Sequence, residues 1–368
     1  MKDCLIHLGF PKTGTTSIQE SLFLNRDYLR ANGIYYPAFA IAGEQQLGRN
    51  ACHILQSVTK KYDQIAPVWK LGRSPRDLVN FGLATLDKLI DNFHKSGCST
   101  LLISSEMLQG PYLPSLCDIL RQDVGPLRGV VYLRSPLPRF RSQFQQGLRG
   151  GRLSTGGPPL LRSEIVKLQD CFPSALMLRK YVERSEQKNW NAVDDFWSAV
   201  LQIGPPPNAL GPSLNEADPA EITVVFAQLA EVLSDWNRDQ KIPFFLWCGE
   251  KIRKMNLNDC EITRFELSRN LERKVIAATA SDNQWLEADF GIRWAGIEGV
   301  EPVEAAGSII PTAQYLRQEV KYSARTCLAM SRHLLERIRS GVPRGVDAAA
   351  ATKAVTSAIE VFSDRQVQ

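Results

Sequence analysis

The opening of the chain constrains its fold more than any other segment. A short apolar run, Cys4-Leu5-Ile6-His7-Leu8, stops at Gly9-Phe10-Pro11-Lys12-Thr13-Gly14-Thr15-Thr16. Residues 3–8 read as a buried strand, and residues 15–30 read as a helix that Asn32-Gly33 ends. A strand, a Gly-containing loop and a helix N-terminus in that order make an anion cradle. The first amides of the helix lack intrahelical partners, and the helix dipole places partial positive charge beside them. Lys12 adds a full charge, and the threonine hydroxyls add donors. The loop form G-x-x-x-x-G-K-[ST] puts its lysine directly after the second glycine. Here Gly9 and Gly14 keep that separation, but Thr15-Thr16 stands where Lys-Ser/Thr should be, and the lysine lies inside the loop. The plain alternative is a tight turn that only joins strand to helix.

The same alternation continues. Leu78, Val79, Leu83, Leu86, Leu89, Ile90 and Phe93 have helical spacing within residues 76–95. Residues 99–105 read as a second buried strand, 113–122 as a helix, 129–134 as a third strand and 137–148 as a helix. Near-continuous apolar strands alternating with helices predict a parallel sheet covered on both faces. The expected fold is therefore α/β, a P-loop-type parallel sheet flanked by helices, with a largely helical C-terminal part. Residues 161–203 read as mostly helical, with one candidate strand at 175–178. Gly204-Pro205-Pro206-Pro207 marks a break. Residues 1–203 are thus expected to form the α/β core and 204–368 a mainly helical extension packed on it, ending in an Ala-rich helix near 346–362.

Composition narrows the partners. Lys+Arg 44 against Asp+Glu 39 leaves a net charge of +5, which suits an anionic ligand but is too mild for a nucleic-acid coat. No stretch approaches the roughly 18 apolar residues of a membrane span, and the N-terminus lacks the pattern of a signal peptide. A cytoplasmic protein is expected. The eight cysteines (4, 52, 98, 117, 171, 248, 260, 327) form no C-x-x-C pair, and the histidines (7, 53, 94, 333) are dispersed. Reduced thiols and no metal site are expected.

Pro11-Lys12-Thr13-Gly14-Thr15-Thr16-Ser17 resembles the 5′-phosphosulfate loop of the sulfotransferases that use 3′-phosphoadenosine 5′-phosphosulfate (PAPS). The resemblance implies that Lys12 contacts the oxygen bridging phosphate and sulfuryl group, and that Thr13, Gly14, Thr15 and Thr16 bind the 5′-phosphate. The family carries a second element, a strand ending in Arg and a helix with Ser eight residues on. Val130-Val131-Tyr132-Leu133-Arg134, followed by Arg139-Phe140-Arg141-Ser142, has that spacing. The resemblance implies that Arg134 and Ser142 hold the 3′-phosphate. The chemistry agrees, since a guanidinium can take phosphate in a bidentate way. The alternative is an arginine paired with a carboxylate and a serine on a solvated helix face.

Leu102-Ile103-Ser104-Ser105-Glu106 should end at the edge where open α/β sheets bind ligands. Sulfuryl transfer to an alcohol needs a base. Glu106 is the acidic residue at a predicted strand end in this region, and its likeness to a glutamate of the carbohydrate-modifying branch implies that role. The alternative is a carboxylate stabilising a helix dipole. Tyr36-Pro37 followed by Asn50-Ala51-Cys52-His53 resembles a Y-P…H segment of bacterial members, making His53 an acceptor-site candidate or a structural histidine. Arg139, in the cluster Arg134, Arg139, Arg141, Arg149 and Arg152, is either a second acceptor-site candidate or part of a solvated face.

The likeness runs in order over residues 3–203 and weakly to 295; residues 296–368 match nothing. The K-x-x-x-G-x-x-G-x-W-K closing loop of cytosolic members is absent, so residues 150–159 are the expected lid. What the resemblance implies is transfer of a sulfuryl group from PAPS, without a metal, to a hydroxyl or amine of an acceptor, a glycan by preference. Two other readings stay open: a variant P-loop kinase using ATP and Mg²⁺, with Glu106 holding the metal, and a non-catalytic nucleotide-binding module.

Overall fold

In the computed structural model, the opening run is strand β1 (Asp3–Leu8), buried from Cys4 onward. The structure describes residues 2–10, 12–37, 39–40, 47–48, 55–59, 61–65, 72–106, 108, 111–153, 160–183, 186–207, 209, 218–255, 260–297, 300 and 312–365. After β1 come α1 (Thr15–Leu24), α2 (Arg26–Ala31), β2 (Ile34–Tyr35), β3 (Phe39–Ala40), β4 (Leu47–Gly48), α3 (Gln56–Thr59) and α4 (Pro75–Lys95). Next are β5 (Thr100–Ser105), α5 (Leu113–Asp123), β6 (Leu127–Leu133), α6 (Pro136–Arg149), α7 (Arg162–Cys171), β7 (Leu176–Lys180) and α8 (Ala192–Asp195). The single helix expected over 15–30 is two. The break falls at Asn25, where φ −111 and ψ 28 leave the helical region; its backbone N–H and its side-chain amide both donate to the Ser21 carbonyl, at 3.2 and 2.8 Å.

Five strands form one parallel sheet in the order β2-β5-β1-β6-β7, and β3 pairs antiparallel with β4 in a separate ribbon. The α/β architecture is as the alternation predicts, and the candidate strand near 175–178 is a full member of the sheet. Register sets the functional edge. Leu8 lies opposite Ser105, and Leu133 opposite Lys180, so Gly9, Glu106, Arg134 and Tyr181 all leave the sheet at its C-terminal edge.

On one face, Leu5, Leu102, Val130 and Tyr132 pack against Ile18 and Leu22 of α1, Leu29 of α2, Val193 of α8, and Phe196 and Trp197 of the π-helical turn that follows. The Trp197 indole donates to Ser21 at 2.9 Å. His7 is fully buried on this face, with Nδ1 2.8 Å from the Ser104 hydroxyl and its ring against Tyr132 and Phe196. Burial pushes its pKa down to about 3, so it is a neutral core residue. Alternation turns Cys4, Ile6 and Leu8 to the other face, where the thiols of Cys117 of α5 and Cys171 of α7 are neighbours. Cys171 and burial together raise the Cys117 pKa. The seven described cysteines are thiols.

The chain divides into two compact units that are not contiguous in sequence: residues 1–135, 160–215 and 285–295 make one, and 136–159, 216–284 and 296–368 the other. The second unit is helical, with α6, α9 (Ala220–Val232), α10 (Arg238–Arg253), α11 (Arg269–Phe290, whose end passes into the first unit), α12 (Ala313–Glu319), α13 (Ala324–Arg339) and α14 (Ala348–Asp364). Its central helix is α9, buried all round from Ala220 to Ala230, as expected of a helix apolar on every side. Phe140 and Phe144 of α6, Phe226 of α9 and Phe244 and Phe245 of α10 fill its core. Among the described residues, no helix is long and apolar enough to cross a membrane.

Glu221, an acidic residue, lies within that core. Glu221 is fully buried and accepts the Ser323 amide at 2.9 Å and the Thr263 amide at 3.1 Å. Its carboxylate thus ties the N-terminus of α13 and the 263 segment to α9. Glu221→Ala is expected to cost about 3 kcal/mol or more, because it removes two charge-assisted bonds and strands two amide donors. A urea titration would read this as a lower midpoint. A shift worth under about 1 kcal/mol would mean that water replaces the carboxylate.

Candidate functional site

The loop between β1 and α1 is held by its own chemistry. A Cβ on Gly9 would lie 2.4 Å from the Thr15 side chain, so only glycine lets the helix start this close to the strand. Gly14 is the N-cap residue of α1 at φ 80, and a Cβ there would lie 2.9 Å from that of Ala192. Thr13 donates its hydroxyl to the Phe10 carbonyl at 2.8 Å and is fully buried; Thr15 is buried beside it. The Thr13 hydroxyl proton is thus used within the loop, while the Thr15 hydroxyl lies 3.4 Å from that of Thr13.

The N-terminus of α1 suits an anion. It has no side-chain cap and no acidic residue in its first turn, so its leading amides and dipole are not satisfied from within. Lys12 stands in the left-handed region at φ 65, an uncommon conformation for a residue with a Cβ and one that costs about 1–2 kcal/mol.

Glu106 follows β5 directly and is half-buried. It accepts a hydrogen bond from the Thr16 side chain and lies within the field of Lys12. Burial is the largest influence and raises its pKa; Lys12 and then Thr16 pull it part of the way back. A carboxylate moved toward neutrality beside a lysine and a helix N-terminus has the properties of a proton acceptor.

Arg134 is engaged. Its Nε and Nη2 donate to the two carboxylate oxygens of Glu183 at 2.5 and 3.0 Å, and Nη1 donates to the Lys12 carbonyl at 3.0 Å. Its guanidinium also lies 5.2 Å from the Tyr181 ring centre. Of the two readings offered for Arg134, pairing with a carboxylate is the contact present, and its remaining N–H groups are what a phosphate would meet. The first unit thus brings together Lys12, Thr13, Gly14, Thr15, Thr16, Glu106 and Arg134. Ser142 and Arg139 lie on α6 in the second unit. Ser142 is half-buried and Arg139 is 3% exposed, so Arg139 is not part of a solvated face. His53 lies outside the described residues, as do residues 154–159 of the expected lid.

Sequence reasoning missed Glu183 and Tyr181 as members of this edge. The available signal was an acidic residue shortly after a strand ending beside β6, but residues 175–178 were too short to fix where that strand ends. No protein-family model, curated protein or solved structure matches this chain.

Proposed function

We propose that this protein is a PAPS-dependent sulfotransferase acting on a hydroxyl or amine of a glycan acceptor in the cytoplasm. One arrangement carries the reading: Lys12, the uncapped start of α1 and the half-buried Glu106 meet at the C-terminal edge of a parallel sheet.

PAPS supplies the sulfuryl group when bound. Lys12 and the amides of Gly14, Thr15 and Thr16 would hold the 5′-phosphate side, with the remaining N–H groups of Arg134 assigned to the 3′-phosphate. Glu106 accepts the acceptor's proton as the new sulfur–oxygen or sulfur–nitrogen bond forms. The bond between sulfur and the bridging oxygen breaks, and its electron pair stays on the departing phosphate. Lys12 and the α1 amides stabilise that charge. Thr16 orients Glu106, and partial burial keeps water from weakening these interactions.

Adenosine 3′,5′-bisphosphate at a hundredfold excess over its Kd is expected to stabilise the protein by about 2.7 kcal/mol, read as a rise in Tm. PAPS with glycan acceptors should give products heavier by one sulfuryl group in mass spectrometry. Stabilisation by ATP with Mg²⁺ alone would shift the assignment to a kinase. Stabilisation by no nucleotide would sink the catalytic reading.

A further inference from the structure

We propose that Glu183 is a positioning residue for the anion loop: through Arg134 it holds the Lys12 backbone in its left-handed conformation. The proposal deepens the sulfotransferase reading and rests on it for the identity of the anion. It starts from the strain at Lys12, whose φ of 65 needs a restraint from outside the loop. The Lys12 carbonyl has one, the Nη1 of Arg134 at 3.0 Å. A long arginine restrains only if it is itself held. Glu183 holds it by both carboxylate oxygens, at 2.5 and 3.0 Å, and each side chain of the pair is only 19% exposed.

Glu183 is in turn placed by the segment that leaves β7. The Tyr181 amide donates to the Leu133 carbonyl at 2.7 Å, fixing this segment to the end of β6. The Tyr181 ring lies under the Arg134 guanidinium and against Gly14, where a Cβ would stand 3.4 Å from its Cε2. Three segments leaving β1, β6 and β7 are therefore joined through one guanidinium. An arginine whose flat fork is held on two sides cannot swing, so the carbonyl it grips is fixed as well. The consequence is a loop shaped before ligand arrives, with Lys12 and the α1 amides already aimed.

The opposite role is a carboxylate that stands in for the ligand's phosphate and must be displaced. The two roles differ in sign. In the full-length Glu183→Gln protein, positioning predicts about tenfold or more weaker binding of PAPS and a clear loss also for adenosine 5′-phosphosulfate, which lacks the 3′-phosphate and so reports on the loop alone. It also predicts faster amide hydrogen exchange at Lys12, Thr13 and Gly14 without ligand, and partial recovery of both in Glu183→Asp. Tighter PAPS binding with adenosine 5′-phosphosulfate unchanged would overturn the proposal in favour of displacement. Unchanged exchange in the loop would overturn it outright. If the wild-type protein binds neither nucleotide, the sulfotransferase reading falls, and the exchange measurement still decides whether Glu183 shapes the loop.

Discussion

Glu106→Gln is expected to lower kcat by about 10²–10⁴-fold while leaving the affinity for adenosine 3′,5′-bisphosphate unchanged. The amide keeps the size of the carboxylate and can still accept from Thr16, but it cannot take a proton at neutral pH. The raised pKa of Glu106 adds two signatures. In the wild-type protein, the acid limb of kcat/KM should lie above the ordinary carboxylate range, because the base works only when ionised; in the variant this limb should disappear. The stability effect has the opposite sign to a structural role. A carboxyl whose folded pKa is raised contributes stability below its unfolded pKa, and that contribution is lost as pH rises through the folded value. At neutral pH the ionised group therefore opposes folding, and Gln relieves it. The Tm of the variant should equal or exceed that of the wild type at neutral pH and converge with it in acid. A lower Tm with kcat retained would assign Glu106 to the helix dipole. Loss of Mg²⁺-dependent ATP binding would assign it to a kinase.

Lys12→Ala is expected to reduce sulfuryl transfer by about 10²–10³-fold or more, with circular dichroism and Tm near wild type. On the proposed reading the side chain contributes charge where the departing phosphate gains it, whereas the loop is bonded to Arg134 at the Lys12 carbonyl, which alanine retains. Alanine has the same Cβ, so the left-handed backbone is strained no further than it already is. The lysine also lowers the Glu106 pKa. Removing it should move the acid limb of the residual activity to higher pH, the direction set by loss of an attractive charge. Transfer at the wild-type rate, or a limb that does not move, would remove Lys12 from the site.

These two residues were legible in the sequence because their signals are local. Lys12 lies in a strand-loop-helix segment whose composition allows few conformations, and Glu106 directly follows an apolar run that can only be a buried strand. The same local logic gave the parallel sheet, since strands buried on both faces lose the polar alternation of a solvated sheet. The break at Asn25 carries no glycine or proline, so the residues alone read as continuous helix.

What the sequence could not supply was pairing between distant segments. Arg134 and Glu183 are 49 residues apart, and their contact exists only because β6 and β7 lie side by side in one register. The inward turn of Thr13 and Thr15 depends on how closely α1 approaches β1 at Gly9, a distance that packing sets. The grouping of α6 with the helices after residue 216 follows the aromatic core of Phe140, Phe144, Phe226, Phe244 and Phe245, not chain order. By itself the sequence determined the strands β1, β5 and β6, the parallel α/β architecture and the strand-loop-helix at Gly9–Thr16, because periodicity, glycine and charge act over a few neighbouring positions. Only the tertiary structure decided which arginine is already paired, which threonines point inward and which helices share a core, because those outcomes depend on register and close packing between elements far apart in the chain.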